Sequence, residues 1–174
     1  MDFKHKKKYG QNFLNNKDEI LNQIIEVSNI DENDEILEIG PGQGALTNLL
    51  VERAKKLTCI EIDKDLEAGL RKKFSSKENY TLVMGDVLEV DLTKYLNKGT
   101  KVVANIPYYI TSPIINKLIE NKEIIDEAYI MVQKEVAQRL VADENSKDNS
   151  SISLFVKYYA DANIAFSVSR NVFV

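Results

Sequence analysis

Cysteine and histidine are nearly absent from this chain of 174 residues, which has one of each, Cys59 and His5. A single cysteine cannot form an internal disulfide, and two such residues cannot supply the ligands of a structural zinc site. Apolar runs of the ~20 residues that span a bilayer are also missing, and the first residues are charged, unlike a signal peptide. We therefore expect a cytoplasmic protein without metal and without a membrane segment.

An excess of basic charge is lacking too, because 23 Lys and Arg residues face 27 Asp and Glu residues. Nucleic-acid-binding proteins usually carry a basic surface, so this balance argues mildly against that class. The exception is a basic opening segment, residues 4–8, which is either a solvated tail or a contact for a polyanion. The hydrophobic share of 44% and the charged share of 29% are typical of a folded globular domain.

Helix-like and strand-like periodicities alternate along the chain, which predicts one α/β domain with a mostly parallel sheet covered on both faces. Ser112 is expected to cap its helix, with Pro113 in the first turn. The polar stretch 143–151 predicts a loop. The predicted helices are 17–29, 45–54, 66–74, one opening at 112–113, 134–141 and 152–159; the predicted strands are 35–39, 57–62, 80–84, 101–104, 128–132 and a candidate sixth at 162–168.

A glycine-rich turn, residues 40–44 with sequence GPGQG, lies between the first predicted strand and the next helix. Glycine permits backbone conformations and close ligand approach that a side chain would block. Doubly wound sheets bind nucleotides at such a strand–turn–helix junction. The spacing G-x-G-x-G differs from the dinucleotide fingerprint, and the same residues also suit a tight turn without a ligand.

Acidic residues follow the next two predicted strands. Glu61 ends the second strand, near the ~20-residue spacing from the glycine turn at which an acid binds ribose hydroxyls. Asp63 and Asp65 compete with it for this role. Asp86 follows the third strand, where an acid can accept a hydrogen bond from an adenine amine. Alone, each would be a solvated loop carboxylate. Because parallel strands end at one edge, we expect these acids to line one ligand site.

The segment Asn105-Ile106-Pro107-Tyr108 ends the fourth predicted strand. The exocyclic amine of adenine is a poor nucleophile because its lone pair is delocalised. The Asn105 side-chain oxygen and a backbone carbonyl near Ile106 can accept hydrogen bonds from the two N–H groups of this amine, while Tyr108 stacks on the base. No strong base is needed, so positioning and electrostatics would supply most of the rate. The alternative is a plain strand-ending turn, in which Asn and Pro are common.

The motifs of this chain resemble those of the ribosomal RNA adenine dimethyltransferases, which modify the small-subunit RNA. A sibling branch methylates large-subunit RNA and confers macrolide resistance. The resemblance covers essentially the whole chain, and its four motifs occur in the family's order at residues 8–14, 38–42, 105–108 and 133–140. It implies a Rossmann-like class I methyltransferase domain over residues 1–174, with a basic, cofactor-contacting segment at 1–16.

The resemblance also implies a reaction and its residues. Methyl groups would pass from S-adenosylmethionine to two adjacent adenines near the 3′ end of 16S rRNA, flipped out of the stack, with the enzyme acting as a monomer. The family's last motif continues beyond Phe173, so we expect the seventh strand and a C-terminal helical domain to be missing. The implied catalytic residues are Asn105, Tyr108 and Phe173, and the implied cofactor contacts are Gln11, Asn12, Leu14, Gly40, Gly42, Glu61, Ile62, Asp86, Val87 and Asn105.

Several alternatives stay open at this point. Residues 109–113 and 145–147 look more like the small-subunit branch than the branch that confers macrolide resistance. The glycine turn and Glu61 would also suit a nicotinamide-dependent oxidoreductase. The basic opening segment would suit a non-catalytic ribosome-assembly factor, and a methylase of DNA adenines would use a related tetrapeptide. Phe173 itself is either a second stacking ring, worth about 1–3 kcal/mol on an extruded base, or a core residue.

Overall fold

The computed structural model describes residues 17–106 and 110–168, along which six α-helices alternate with five strands. A 3-10 turn, Leu92–Lys94, precedes the fourth strand. In chain order the elements are α1 (Lys17–Ser28), β1 (Glu35–Ile39), α2 (Ala45–Val51), β2 (Lys56–Glu61), α3 (Lys64–Lys73), β3 (Tyr80–Met84), β4 (Thr100–Asn105), α4 (Thr111–Glu120), β5 (Ile125–Met131), α5 (Lys134–Leu140) and α6 (Ser151–Tyr159).

The five strands form one parallel sheet in the order β3-β2-β1-β4-β5. The chain first moves outward from β1 to β3 and then returns to place β4 on the other side of β1. This reversal makes the carboxyl ends of the neighbouring strands β1 and β4 the switch point of the sheet, where ligands bind in doubly wound folds. Ile39, at the end of β1, is in register with Ile60 on one side and with Ala104 on the other.

The three central strands, β1, β2 and β4, are buried on both faces. Ile36 belongs to a core cluster with apolar residues of α1, α2 and α3, whereas Leu37 belongs to a second cluster with residues of β4 and α4. Successive strand residues point to opposite faces, so two layers of helices require strands that are apolar throughout. The predicted parallel sheet with helices on both faces is therefore confirmed.

The bounds of β2, α3 and β5 shift by one to three residues from the prediction, and three further local predictions differ from the structure. Ser112 lies inside the first turn of α4, and Ile110 occupies the cap position without a side-chain hydrogen bond. Pro113 is still tolerated there, because amides of the first turn have no partner within the helix. Helix α2 ends at Val51 because the chain turns back early, with the Lys55 N–H donating to the Asp34 carbonyl at 2.9 Å.

The candidate sixth strand is the third difference. Among the described residues the sheet has five strands, and residues 160–168 have no regular secondary structure. Phe166 and Val168 instead pack against the core cluster beside α1. Alternating apolar residues predict a strand only if a neighbouring strand supplies hydrogen bonds, and sequence pattern alone does not establish such a neighbour.

A small polar cluster is buried under the glycine turn. Glu38 of β1 is 3% exposed, and its Oε2 accepts hydrogen bonds from Thr47 Oγ1 at 2.7 Å and from Cys59 Sγ at 3.2 Å. The cluster thus joins β1, α2 and β2. Burial raises the pKa of Glu38 to about 7, although the bonds from Thr47 and Cys59 oppose the rise.

The pH dependence of stability should report this burial. The pKa of Glu38 rises from 4.5 to about 7 on folding, so the folded chain binds the proton more tightly. The free energy of unfolding should fall as pH rises through this window, by ~3 kcal/mol at most, and level off above it. Glu38→Gln should remove that component. Urea unfolding of both proteins between about pH 5 and about pH 8 tests it, and parallel curves for the two would contradict it.

Alanine substitutions at Gly44, in the turn, and at Gly69, inside α3, form a matched pair that tests the backbone conformation of the turn. Gly44, at the N-terminus of α2, has φ +75°, and a Cβ there would lie 2.8 Å from the Phe74 ring. Gly44→Ala should therefore destabilise the protein by about 2 kcal/mol or more. Gly69→Ala, inside α3 with open space at the Cβ position, should stabilise it by about 0.5–1 kcal/mol. Chemical unfolding measures both, and shifts of the same sign would contradict the assignment.

Candidate functional site

The ends of β1 and β4 form the two sides of one crevice. The Gly40 N–H donates to the Ile60 carbonyl at 2.9 Å, which continues the β1–β2 pairing beyond the last residue of β1. A Cβ placed on Gly40 would lie 3.9 Å from the Asn105 carbonyl oxygen. The glycine turn and the end of β4 therefore meet at the switch point of the sheet, at its carboxyl edge.

The turn itself has an open face. Gly42 has φ +58°, and no atom of the described residues lies within 4 Å of a Cβ placed there. Its N–H donates to Glu61 Oε2 at 3.0 Å. On another side of the turn, the Lys73 ammonium donates to the carbonyls of Gln43 at 3.1 Å and Gly44 at 3.0 Å. The turn is held from two sides, while the space over Gly42 remains for a ligand.

Glu61 is a buried carboxylate with a fixed orientation. The residue is 4% exposed, and its Oε1 accepts from the Asp63 N–H at 2.9 Å while Oε2 accepts from Gly42. Burial raises the pKa of Glu61, and these backbone N–H groups work against the rise. A carboxylate has about four acceptor positions, so two remain after these bonds. That arrangement can accept two hydroxyls from one diol.

The two competitors of Glu61 have other positions. Asp63 is the N-cap of α3, and its Oδ1 accepts from the Asp65 N–H at 3.0 Å. Capping with an acid also matches the positive end of the helix dipole. Asp65 is exposed in the first turn of that helix. Glu61, by contrast, is bonded to the glycine turn through the Gly42 N–H.

Ile62, Asp86 and Val87 continue the carboxyl edge beyond Glu61. Ile62 is 48% exposed, a high value for a large apolar side chain beside buried strands. The Gly85 N–H donates to the Glu61 carbonyl at 2.8 Å, which brings Asp86 next to β2, and Asp86 Oδ1 accepts from the Leu88 N–H at 2.9 Å. Val87 is buried in the core cluster that contains Leu37.

Asn105 lies across the crevice from these residues. It is the last residue of β4, is exposed, and pairs with Met131 of β5. The next residue anchors the chain, because the Ile106 N–H donates to the Met131 carbonyl at 3.2 Å and the Ile106 side chain is buried. A polar amide therefore stands at the edge of the crevice on a rigid strand, within the region that Gly40 and Glu61 border.

Some predicted site residues lie outside the described residues. They are Gln11, Asn12 and Leu14 in the opening segment, Tyr108 after β4, and Phe173. Conversely, the sequence analysis did not identify Glu38, Thr47 and Lys73 as supports of the glycine turn. The available signal was an acid inside the apolar strand EILEI, because an acid in a strand buried on both faces needs a hydrogen-bonding partner.

Neither a metal site nor a membrane-spanning helix occurs in the described part of the chain. Within residues 17–106 and 110–168, no group of three or more Cys, His, Asp or Glu side chains is placed to hold a metal ion. None of the helices described there is both long and apolar enough to cross a bilayer.

The chain is similar to proteins named as ribosomal RNA methyltransferases and as a dimethyladenosine transferase. The ribosomal RNA small subunit methyltransferase A of Fusobacterium nucleatum is 75% identical over 173 residues, covering 99% of this chain but only 65% of that protein. A dimethyladenosine transferase from Plasmodium falciparum is 35% identical with a TM-score of 0.73, over 83% of this chain and 52% of that one. A 23S rRNA methyltransferase is 34% identical with a TM-score of 0.65, over 74% and 50%.

A family model also matches nearly the whole chain. The model of the family described as ribosomal RNA adenine dimethylase matches residues 2–174. That range contains the glycine turn, the acids at the ends of β2 and β3, and the Asn105 segment. The expected resemblance and the class I methyltransferase fold are confirmed, and this chain belongs to the ribosomal RNA adenine dimethylase family.

Proposed function

We propose that this chain is the catalytic domain of an enzyme that dimethylates adenines of 16S rRNA in the small ribosomal subunit, using S-adenosylmethionine. The observation that carries the proposal is the crevice at the switch point, where Asn105 stands next to Gly40 and across from Glu61. The chain spans 65% of its Fusobacterium relative, so the activity of the whole protein is inferred from the family.

The described residues fit the proposed cofactor. The open space over Gly42 admits a ligand against the backbone, and the Glu61 carboxylate suits a ribose diol. The exposed Ile62 side chain offers an apolar surface for a purine ring, and Asp86 offers an acceptor for its amine. We assign Val87, through its backbone, and Gln11, Asn12 and Leu14 of the opening segment to the same site on the resemblance alone.

The bound cofactor would supply an electrophilic methyl group on a sulfonium. The protein's task is then to orient the target amine, which gains nucleophilicity when its lone pair points at that methyl. The Asn105 side-chain oxygen accepts a hydrogen bond from one N–H of the amine, and a backbone carbonyl near Ile106 accepts a hydrogen bond from the other. Tyr108 and Phe173 would hold the flipped base by stacking. Orientation of this kind needs no strong base.

The small-subunit target is favoured over the large-subunit one. The small-subunit methyltransferase of Fusobacterium is 75% identical, whereas the 23S rRNA methyltransferase is 34% identical. Membership of the family also argues against a nicotinamide-dependent oxidoreductase. We further propose that the enzyme acts as a monomer in the cytoplasm, where ribosomal subunits are assembled, and that residues 1–16 include contacts to the cofactor.

Replacing the Glu61 carboxylate tests the cofactor site. Glu61→Gln turns one acceptor oxygen into an N–H donor, which would face either the Gly42 N–H, the Asp63 N–H or a ribose hydroxyl. We expect S-adenosylhomocysteine to bind on the order of 10- to 100-fold more weakly by titration calorimetry. Glu67→Gln is the control, because Glu67 makes an exposed pair with Arg71 on α3, away from the glycine turn. Equal affinities of the two variants would refute the role of Glu61.

Replacing Asn105 tests the chemical step. In the full-length protein, Asn105→Ala should lower the rate of labelled-methyl transfer to undermethylated small subunits on the order of 100-fold, because one positioned acceptor is lost. Affinity for S-adenosylhomocysteine should be retained, because the part of Asn105 that lies beside Gly40 is its backbone carbonyl, which alanine keeps. Asn97→Ala is the matched control, since Asn97 precedes the other end of β4 and bonds Glu35 there. A rate for Asn105→Ala equal to that of the control would exclude the proposed role.

A further inference from the structure

The hydrogen bond between Glu38 and Thr47 spans the glycine turn. Glu38 lies two residues before Gly40, and Thr47 lies three residues after Gly44, so their side chains join the strand and helix on either side of the turn at 2.7 Å. Both residues are buried, and Thr47 has no exposed surface. Neither side chain can contact a ligand in the crevice, so any effect on binding must pass through the turn.

The turn has a particular need for such a connection. Gly40, Gly42 and Gly44 all have positive φ, between +58° and +75°. Glycine is the residue that samples the most backbone conformations, so a turn with three of them loses much entropy when a ligand orders it. Bonds that order the turn before the ligand arrives reduce that loss and raise affinity.

Packing alone does not account for an acid at position 38. The carboxyl lies within the core cluster of β1, β2 and α2, where an apolar side chain of similar volume would fill the space without desolvating a polar group. What the acid adds is an acceptor that joins two elements. Thr58 on β2 differs from Thr47, because its buried Oγ1 has no hydrogen-bond partner among the described residues and therefore joins no elements.

We propose that Glu38 and Thr47 are positioning residues that set the affinity for S-adenosylmethionine by fixing the turn of residues 40–44 between β1 and α2. This inference rests on the proposed function of the crevice. It assigns no contact with the cofactor or with the target base to either residue. It therefore predicts that their loss changes cofactor binding and leaves the chemical step unchanged once the cofactor is saturating.

Two buried threonines provide a matched experiment. Thr47→Val removes the donor to Glu38, whereas Thr58→Val removes a hydroxyl that makes no bond in the described structure. By calorimetry well below the unfolding temperature, S-adenosylhomocysteine should bind about tenfold more weakly to Thr47→Val. Thr58→Val should bind like the parent, and Thr47→Ser, which restores the hydroxyl, should recover parental affinity.

The strand side of the bond gives an independent pair of variants. Glu38→Gln keeps an acceptor oxygen and should bind the ligand like the parent, whereas Glu38→Met lacks the acceptor and should show the same loss as Thr47→Val. Glu38→Met decides the matter if Thr47→Val does not fold. In the full-length enzyme, Thr47→Val and Glu38→Met should raise the KM for the methyl donor, while kcat and the KM for the ribosomal subunit stay unchanged.

The outcomes separate this inference from the proposed function. If the parent chain does not bind S-adenosylhomocysteine, the function of the crevice itself is wrong. If the parent binds and Thr47→Val binds equally well, the turn does not depend on the buried bond and the positioning role is refuted. A fall in kcat without a change in the KM for the methyl donor would refute it as well.

Discussion

The left-handed backbone of the turn after β1 is the constraint on which the rest of the site depends. Three glycines with positive φ let the chain reverse within a few residues, so that α2 packs on the sheet while the open face over Gly42 stays clear. The bond from the Gly42 N–H to Glu61 then ties this turn to β2. Because β4 returns to the other side of β1, the same turn also borders Asn105.

Most of the sheet was predictable from the sequence, and the reasons are local. The bounds of β1 and β3 agree with the prediction, because each is a short run of strand-forming residues between clear breaks. The C-terminus of α2 was not predictable, since the chain after it is held by a contact with a residue distant in sequence, the bond from the Lys55 N–H to the Asp34 carbonyl. The candidate strand at 162–168 failed for the same reason: a strand needs a partner, and sequence pattern does not name one.

The site shows the same division between topology and packing. Parallel strands end at one edge, so acids and an amide placed after successive strands lie along that edge. Gly85 bonds Glu61 and so brings Asp86 next to β2, while the Asn105 carbonyl lies beside Gly40. Sequence spacing did not separate Glu61 from Asp63, because only the structure reveals that Asp63 caps α3. The buried pair of Glu38 and Thr47 has no motif of its own, since it depends on how α2 lies over β1.

Glu61 contributes both to the folded turn and to the proposed ligand site, so ligand binding affects the lifetime of the folded protein. The carboxylate holds the turn through Gly42 and, in the proposed complex, holds the donor as well, so the folded turn and the bound molecule stabilise each other. A ligand at 100 times its Kd adds about 2.7 kcal/mol to the stability of the folded state. A cell well supplied with methyl donor would therefore degrade this domain more slowly than a starved one, without any dedicated regulator.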